Sequence, residues 1–300
     1  MLVNANNKST MLAARLTLLA LSVLLVFSGY FYIERMLFSD AAHIFTTIVN
    51  TKSLSIIEHR LGSFITQMFP LLGVWLKLPL KALLFVYSVS FNIFFLVTGL
   101  VLYRLRQYGF VVLLGLYLTA CATETFYWSN NEVHQGISWM LLAFGYLFHS
   151  IETGKNKLRK WIPFTLLIFL ALFSHPLVII VTAYLFVFFL LDQAVLRPDR
   201  RALTLASVIA LIILSKVYFS STGFYDKGLV TGLIESFSME KLLGVFTTAT
   251  AKEFIKSAVQ DYWQFLVFFG LGIVATLLLR KPLILLWMLL SMLVISVWFA

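Results

Sequence analysis

Asp40, Glu58, His59, Arg60, Glu132, His134 and His175 are the side chains of this sequence whose types and spacing suit chemistry. A carboxylate such as Asp40 can act as a general base toward an attacking hydroxyl. Glu58-His59-Arg60 sets a carboxylate, an imidazole and a guanidinium side by side, and a guanidinium holds phosphate as a planar fork. Glu132 and His134, two residues apart, suit hydroxyl binding or assistance to the base, and His175 suits donation to a phosphate or leaving-group oxygen. Each residue also has a plainer reading. Asp40, ahead of Ala41-Ala42-His43, can cap a helix, and Glu58 to Arg60 can be solvated loop charge. Glu132 and His134 sit in a polar turn, and His175 precedes Pro176 at a helix break. HExxH is absent. His134 and His175 with Asp40 or Glu132 offer ligands for a divalent cation, but no spacing demands one, so no metal and no cofactor is required.

These residues must be positioned by a membrane domain. The chain is 61% hydrophobic and 12% charged over 300 residues, with mean hydropathy +0.94. A soluble domain is nearer a quarter charged. Leu16 to Phe31 is too long for a signal-peptide core and is followed by no small-x-small cleavage site, so it reads as a retained first span. Cys121 is the single cysteine, which excludes an internal disulfide and CxxC chemistry. P-loop, GxGxxG and nucleophile-elbow motifs are absent, which argues against a Rossmann-type nucleotide-sugar site.

The expected fold is an all-α, polytopic transmembrane bundle, a single domain over 1–300 with several short or broken spans. Apolar segments fall at 11–33, 80–102, 109–123, 136–149, 161–191, 202–219, 262–279 and 283–300. Two polar stretches separate them, a first outer loop at 34–79 with amphipathic helical spacing and a second at 220–261. Residues 63–76 are interrupted by Pro70 and are shorter than the roughly 20 residues that cross a bilayer, so they read as interfacial or re-entrant. Segment 161–191 reads as two short helices broken at Ser174-His175-Pro176. The last apolar run reaches Ala300, so the chain reads as a fragment or as one with a short C-terminus.

Charge sorts these segments by side. With the N-terminus in the cytoplasm and 63–76 not crossing, thirteen of the 23 basic residues and three of the 13 acidic residues lie inside, leaving ten of each outside. The whole net charge of +10 is then a topology signal, which removes the argument for nucleic acid. Asp40, His43, Glu58, His59, Glu124, Glu132, His134 and His175 share the non-cytoplasmic face.

An acidic residue soon after a first span, in Glu34-Arg35-Met36-Leu37-Phe38-Ser39-Asp40, together with short or broken spans, resembles the GT-C-type glycosyltransferases, polytopic enzymes that use lipid-phosphate-linked sugars. The likeness is architectural and covers most of the chain. It implies transfer of a hexosyl or pentosyl group from a polyprenyl-phosphate donor to a glycan, lipid or protein acceptor. Asp40 would then be the general base, Arg60 and His175 would face the lipid phosphate, and Glu58, His59, Glu132 and His134 would bind substrate. It also implies a bacterial inner-membrane location. Two other classes stay open: a transporter or lipid flippase, and a non-catalytic subunit of a surface-polysaccharide system. Asn92 and Lys216 are the polar residues well inside or near a span, and both fit helix contacts or snorkelling.

Overall fold

The computed structural model describes residues 8–36, 38–120, 126–153, 161–192, 200–222, 248–261 and 263–299, and every regular element among them is helical. Cys121, Glu124, Lys155, Lys157, Arg159, Lys160, Arg197 and most of the 220–261 stretch lie outside these residues. The chain divides into two compact units, Met1–Thr182 with Leu203–Phe219, and Ala183–Ala202 with Ser220–Ala300.

The first unit opens with α1 (Lys8–Tyr30), whose buried residues are Ala14, Leu21 and Ser28, one every seventh position. That spacing makes a narrow seam, which packs on α5 (Leu80–Arg104) and α6 (Tyr108–Ala120). Small residues let the backbones approach: a Cβ on Gly99 would lie 3.0 Å from Leu18, and one on Gly115 would lie 2.2 Å from Thr17. The rest of α1 turns Leu12, Leu16, Leu19, Val23, Val26 and Phe27 outward at 44–70% exposure. Water would penalise such a face, whereas hydrocarbon matches it. α1, α5 and the Ala202–Ser220 stretch of a later helix are long and apolar enough to cross a membrane, and they mark the chain as a membrane protein.

Between α1 and α5 the chain forms α2 (Tyr32–Met36), α3 (Ser39–Thr51), a 3-10 turn (Leu61–Ser63) and α4 (Phe64–Trp75). α3 is amphipathic, as its spacing requires. It buries Ala41, Ile44, Phe45 and Ile48 in a cluster with Met36, Leu71, Leu83 and Tyr87. α4 contains Pro70 and has 12 residues. At 1.5 Å per residue it is about 18 Å long, short of the ~30 Å hydrocarbon core. It ends at Lys77, whose left-handed φ of 56° lets Leu78 N reach Gly73 O at 3.0 Å and Lys77 N reach Val74 O at 3.0 Å. This is a Schellman closure, with a lysine where glycine is usual.

Beyond α6 come α7 (Glu132–Glu152), α8 (Trp161–Leu172), α9 (Leu177–Asp192) and α10 (Arg200–Thr222). The expected break of 161–191 is present, with α8 ending at Leu172 and α9 starting after Pro176. α8 packs along α7, and the 3-10 turn wedges against both. Gly62 makes that wedge possible. Its N–H donates to Phe173 O at 3.3 Å, and its carbonyl accepts from Trp139 Nε1 at 2.8 Å. A Cβ there would stand 1.8 Å from Ser174 Oγ and 2.2 Å from Leu170 O. Gly62→Ala is therefore expected to lower stability by roughly 1–3 kcal/mol or more, the range for overpacking. Adding Ser174→Gly should not restore it, because the Leu170 clash is with backbone. Thermal unfolding of the detergent-solubilised chain measures both.

In the second unit, α11 (Ala249–Gln260) packs on α12 (Trp263–Leu278) and α13 (Pro282–Phe299), which pack on each other. Lys281 is ion-paired with Asp192. Trp287 stacks on Tyr184 with centroids 5.9 Å apart, and its indole N–H donates to Tyr184 O at 3.3 Å.

Candidate functional site

The site begins with Arg35. α1 runs nearly without interruption into α2, through Phe31 N to Phe27 O at 2.8 Å and Arg35 N to Phe31 O at 3.1 Å. That continuity carries the Arg35 side chain inward until none of it is exposed. Nε donates to Phe126 O at 2.7 Å, Nη1 to Ser88 O and Ser88 Oγ at 3.1 Å each, and Nη2 to Asn92 Oδ1 at 2.9 Å. The guanidinium lies 4.6 Å from the Phe126 ring centroid, within cation–π range. Burial pulls its pKa down, Tyr127 opposes this, and the result of about 9 leaves it protonated at neutral pH. Arg35 thus ties three separate stretches together: the end of α1 and α2, the middle of α5, and the 126–131 turn.

The same turn meets the start of α3. Phe38 stacks on Tyr127 at 5.9 Å and touches Trp128 at 6.3 Å. This stacking accompanies an extended backbone at Phe38, which is the N-cap residue of α3. Asp40 is therefore not the cap. It occupies the first turn of α3, with its side chain exposed, where the helix dipole favours a carboxylate. His43, three residues on and also exposed, shares its face.

The turn then starts α7. Asn131 caps it, its side chain accepting from Val133 N at 2.9 Å and His134 N at 3.4 Å. Glu132 follows in the first turn and pairs with Arg60 at 3.7 Å, with side chains only 18% and 11% exposed. α4 and the start of α7 also carry buried neutral polar side chains. Gln67 brackets Ser55 with two bonds of 2.8 and 3.1 Å, and Thr66, Asn130 and Gln135 bond among themselves. Tyr87 of α5 is completely buried and packs in the apolar cluster beneath α3. Two of the expected residues, Arg60 and Glu132, therefore meet directly, and Asp40 stands on the exposed side of α3, whose buried face packs on Tyr87.

The others are directed elsewhere. His134 bonds through Nδ1 to the Tyr117 hydroxyl of α6. His175 accepts from Leu177 N at 3.2 Å through Nδ1, so it caps α9, as its position before Pro176 allows. His59 lays its ring 5.3 Å from Phe219, and the Glu58 carbonyl accepts from Lys216 at 3.2 Å. Among the described residues, no group of three or more His, Cys, Asp or Glu is arranged to hold a metal ion. Sequence reasoning assigned no role to Arg35 or Tyr87. The legible trace was on α5, where Ser88 and Asn92 stand one turn apart and form a polar stripe in an apolar helix.

The Arg60–Glu132 pair makes its own prediction. Removing Glu132 takes the carboxylate away from a largely buried guanidinium, so Glu132→Gln is expected to destabilise by up to roughly 3–5 kcal/mol. The double variant Glu132→Gln with Arg60→Gln should cost less than the sum of the two single changes. Additive losses in thermal unfolding would show that the two charges do not interact. No family model, curated protein or solved structure matches this chain.

Proposed function

We propose that the protein is a polytopic membrane glycosyltransferase that moves a sugar from a polyprenyl-phosphate donor to a hydroxyl-bearing acceptor, with Asp40 as general base. The observation that carries this reading is the placement of Asp40. Its carboxylate is exposed on the first turn of α3, one short helix after a membrane-length span. In the reaction, the acceptor oxygen attacks the anomeric carbon as Asp40 takes the acceptor proton. The bond from that carbon to the donor phosphate oxygen breaks, and polyprenyl phosphate leaves with the electron pair. Arg60 supplies positive charge for that phosphate while Glu132 holds it in place. Transfer of labelled sugar from polyprenyl-phosphate donors by membranes containing the full chain is the direct test. No transfer with any donor, under conditions where the chain is folded, argues against the reading.

A second reading is favoured by Arg35 and Lys216, ionisable groups buried against or within membrane-length helices, where transporters place theirs. Topology separates the two. In a Cys121→Ser background, single cysteines at Asp40, Glu132 and His175 are expected to react with an impermeant thiol reagent from one side only. Position 40 should react fastest, being the exposed one. Permeabilised cells, and cysteines in the 150–160 stretch, serve as controls. Opposite sides for positions 40 and 175 would end the shared-site reading and put transport ahead.

A further inference from the structure

Glu58 and His59 both have left-handed backbone, with φ of 51° and 57°. Arg60 N bonds Ile57 O at 2.9 Å across them. This is the pattern of a type I′ turn, which asks for positive φ at both central residues and favours Asn-Gly there. Glutamate in particular does not choose this conformation by itself, and two such residues in succession persist only where their surroundings over-determine them.

Those surroundings are Lys216, Phe219 and Phe173. Lys216 belongs to the Ala202–Ser220 stretch, which is apolar enough to cross a membrane. A lysine in such a helix usually extends toward the interface. This one is completely buried and donates from Nζ to the Glu58 carbonyl at 3.2 Å. Its ammonium also stands 5.8 Å from the Phe173 ring centroid. Phe219, one turn along the same helix, packs on the His59 ring at 5.3 Å and on Phe173 at 6.0 Å. The lysine grips the carbonyl of the first left-handed residue while the phenylalanine holds the ring of the second. Arg60 is the next residue, and its guanidinium then meets Glu132.

We propose that Lys216 is a positioning residue: by holding the Glu58 carbonyl it maintains the left-handed Glu58–His59 turn and so presents Arg60 to Glu132. The clamp rests on the geometry of the turn and holds whichever substrate the site takes. Packing alone would make Lys216 important for stability but would not link it to the conformational preference of residues 58 and 59.

That link is what the experiment reads. The coupling between Arg60→Gln and Glu132→Gln is measured by unfolding temperature on the full chain in detergent. Three backgrounds are compared: wild type, Lys216→Met, and Lys216→Met carrying Glu58→Asn with His59→Gly. Coupling present in wild type is expected to vanish in Lys216→Met and to return with the Asn-Gly turn, which holds the type I′ form unaided. Lys216→Arg should retain it. Undiminished coupling in Lys216→Met overturns the proposal, as does a folded triple variant in which coupling does not return. Where Lys216→Met yields no folded protein, Glu58→Asn with His59→Gly in the otherwise native chain decides. A rise of several degrees in unfolding temperature supports a strained, clamped turn, and an unchanged or lower temperature overturns it.

Discussion

Arg35→Leu is expected to leave little folded protein. The substitution keeps an apolar side chain in an apolar neighbourhood, which on hydropathy alone reads as an improvement. The hydrogen bonds say otherwise. Phe126 O and Asn92 Oδ1 lose the donor that satisfies them, and Ser88 O, which keeps its helix bond, loses a second one. Each buried acceptor left alone costs about 1–3 kcal/mol, so the two together cost roughly 2–6 kcal/mol, a large share of a typical 5–15 kcal/mol stability. Arg35→Lys should recover only part, because one ammonium cannot span acceptors on α5 and on the 126–131 turn that a planar fork reaches together. The informative variant is Arg35→Leu with Asn92→Leu and Ser88→Ala. Removing the side-chain acceptors along with the donor should restore part of the loss, since a buried polar group is costly mainly when its partner is gone. The Phe126 carbonyl remains without its donor, so recovery stays incomplete. Yield of monodisperse protein and its unfolding temperature measure all three. If Arg35→Leu unfolds at the native temperature, the guanidinium is not what ties α2, α5 and the turn together.

This anchor also shows where sequence reading stops. Helix positions were legible, since they are set by hydropathy and local breakers. The segment expected at 80–102 is Leu80–Arg104, and the break at Ser174-His175-Pro176 separates α8 from α9. The short, proline-containing stretch at 63–76 is a helix of 12 residues. The 136–149 segment was placed too late because hydropathy sees only its apolar part. α7 starts at Glu132, where Asn131 caps a polar first turn. Partnerships were not legible. Arg35 meets acceptors 53, 57 and 91 residues away, and two of them are backbone carbonyls, which every residue has. Nothing in a single sequence marks which carbonyl an arginine finds. Asp40 looked able to cap α3, but the helix starts earlier, with Phe38 as its N-cap residue stacked on Tyr127. Lys216 fitted helix contacts or snorkelling, and nothing in the sequence pointed to the Glu58 carbonyl that its ammonium meets. Of the residues singled out for chemistry, Arg60 and Glu132 found each other because opposite charges brought to the same end of a bundle attract. His134 and His175 were drawn instead into local bonds with Tyr117 and with the start of α9.

Asp40→Asn is expected to abolish most sugar transfer while leaving the fold intact, and this pairing makes it decisive for the proposed chemistry. The side chain is exposed, and asparagine has the same shape. The structural effect is limited to a weakened interaction with the α3 dipole, worth about 0.3–1 kcal/mol. The catalytic effect is larger. A positioned general base contributes about 10²–10⁴-fold, equivalent to about 3–5 kcal/mol of barrier. A loss of that size cannot be assigned to unfolding in a variant whose unfolding temperature is nearly native. Asp40→Glu keeps the carboxylate but moves it by one methylene, and because reacting atoms must approach within about 3–3.5 Å, it should retain partial activity. His43→Ala provides the contrast. This imidazole shares the exposed face of α3, and if it were the base, its removal would show the large loss and Asp40→Asn would not. The expected order of transfer rates is therefore wild type and His43→Ala together, Asp40→Glu lower, and Asp40→Asn lowest. Full activity in Asp40→Asn removes the general-base assignment. If a labelled solute instead crosses membranes containing the chain, and does so equally well with Asp40→Asn, the burial of Arg35 and Lys216 against membrane-length helices takes on the meaning it has in transporters.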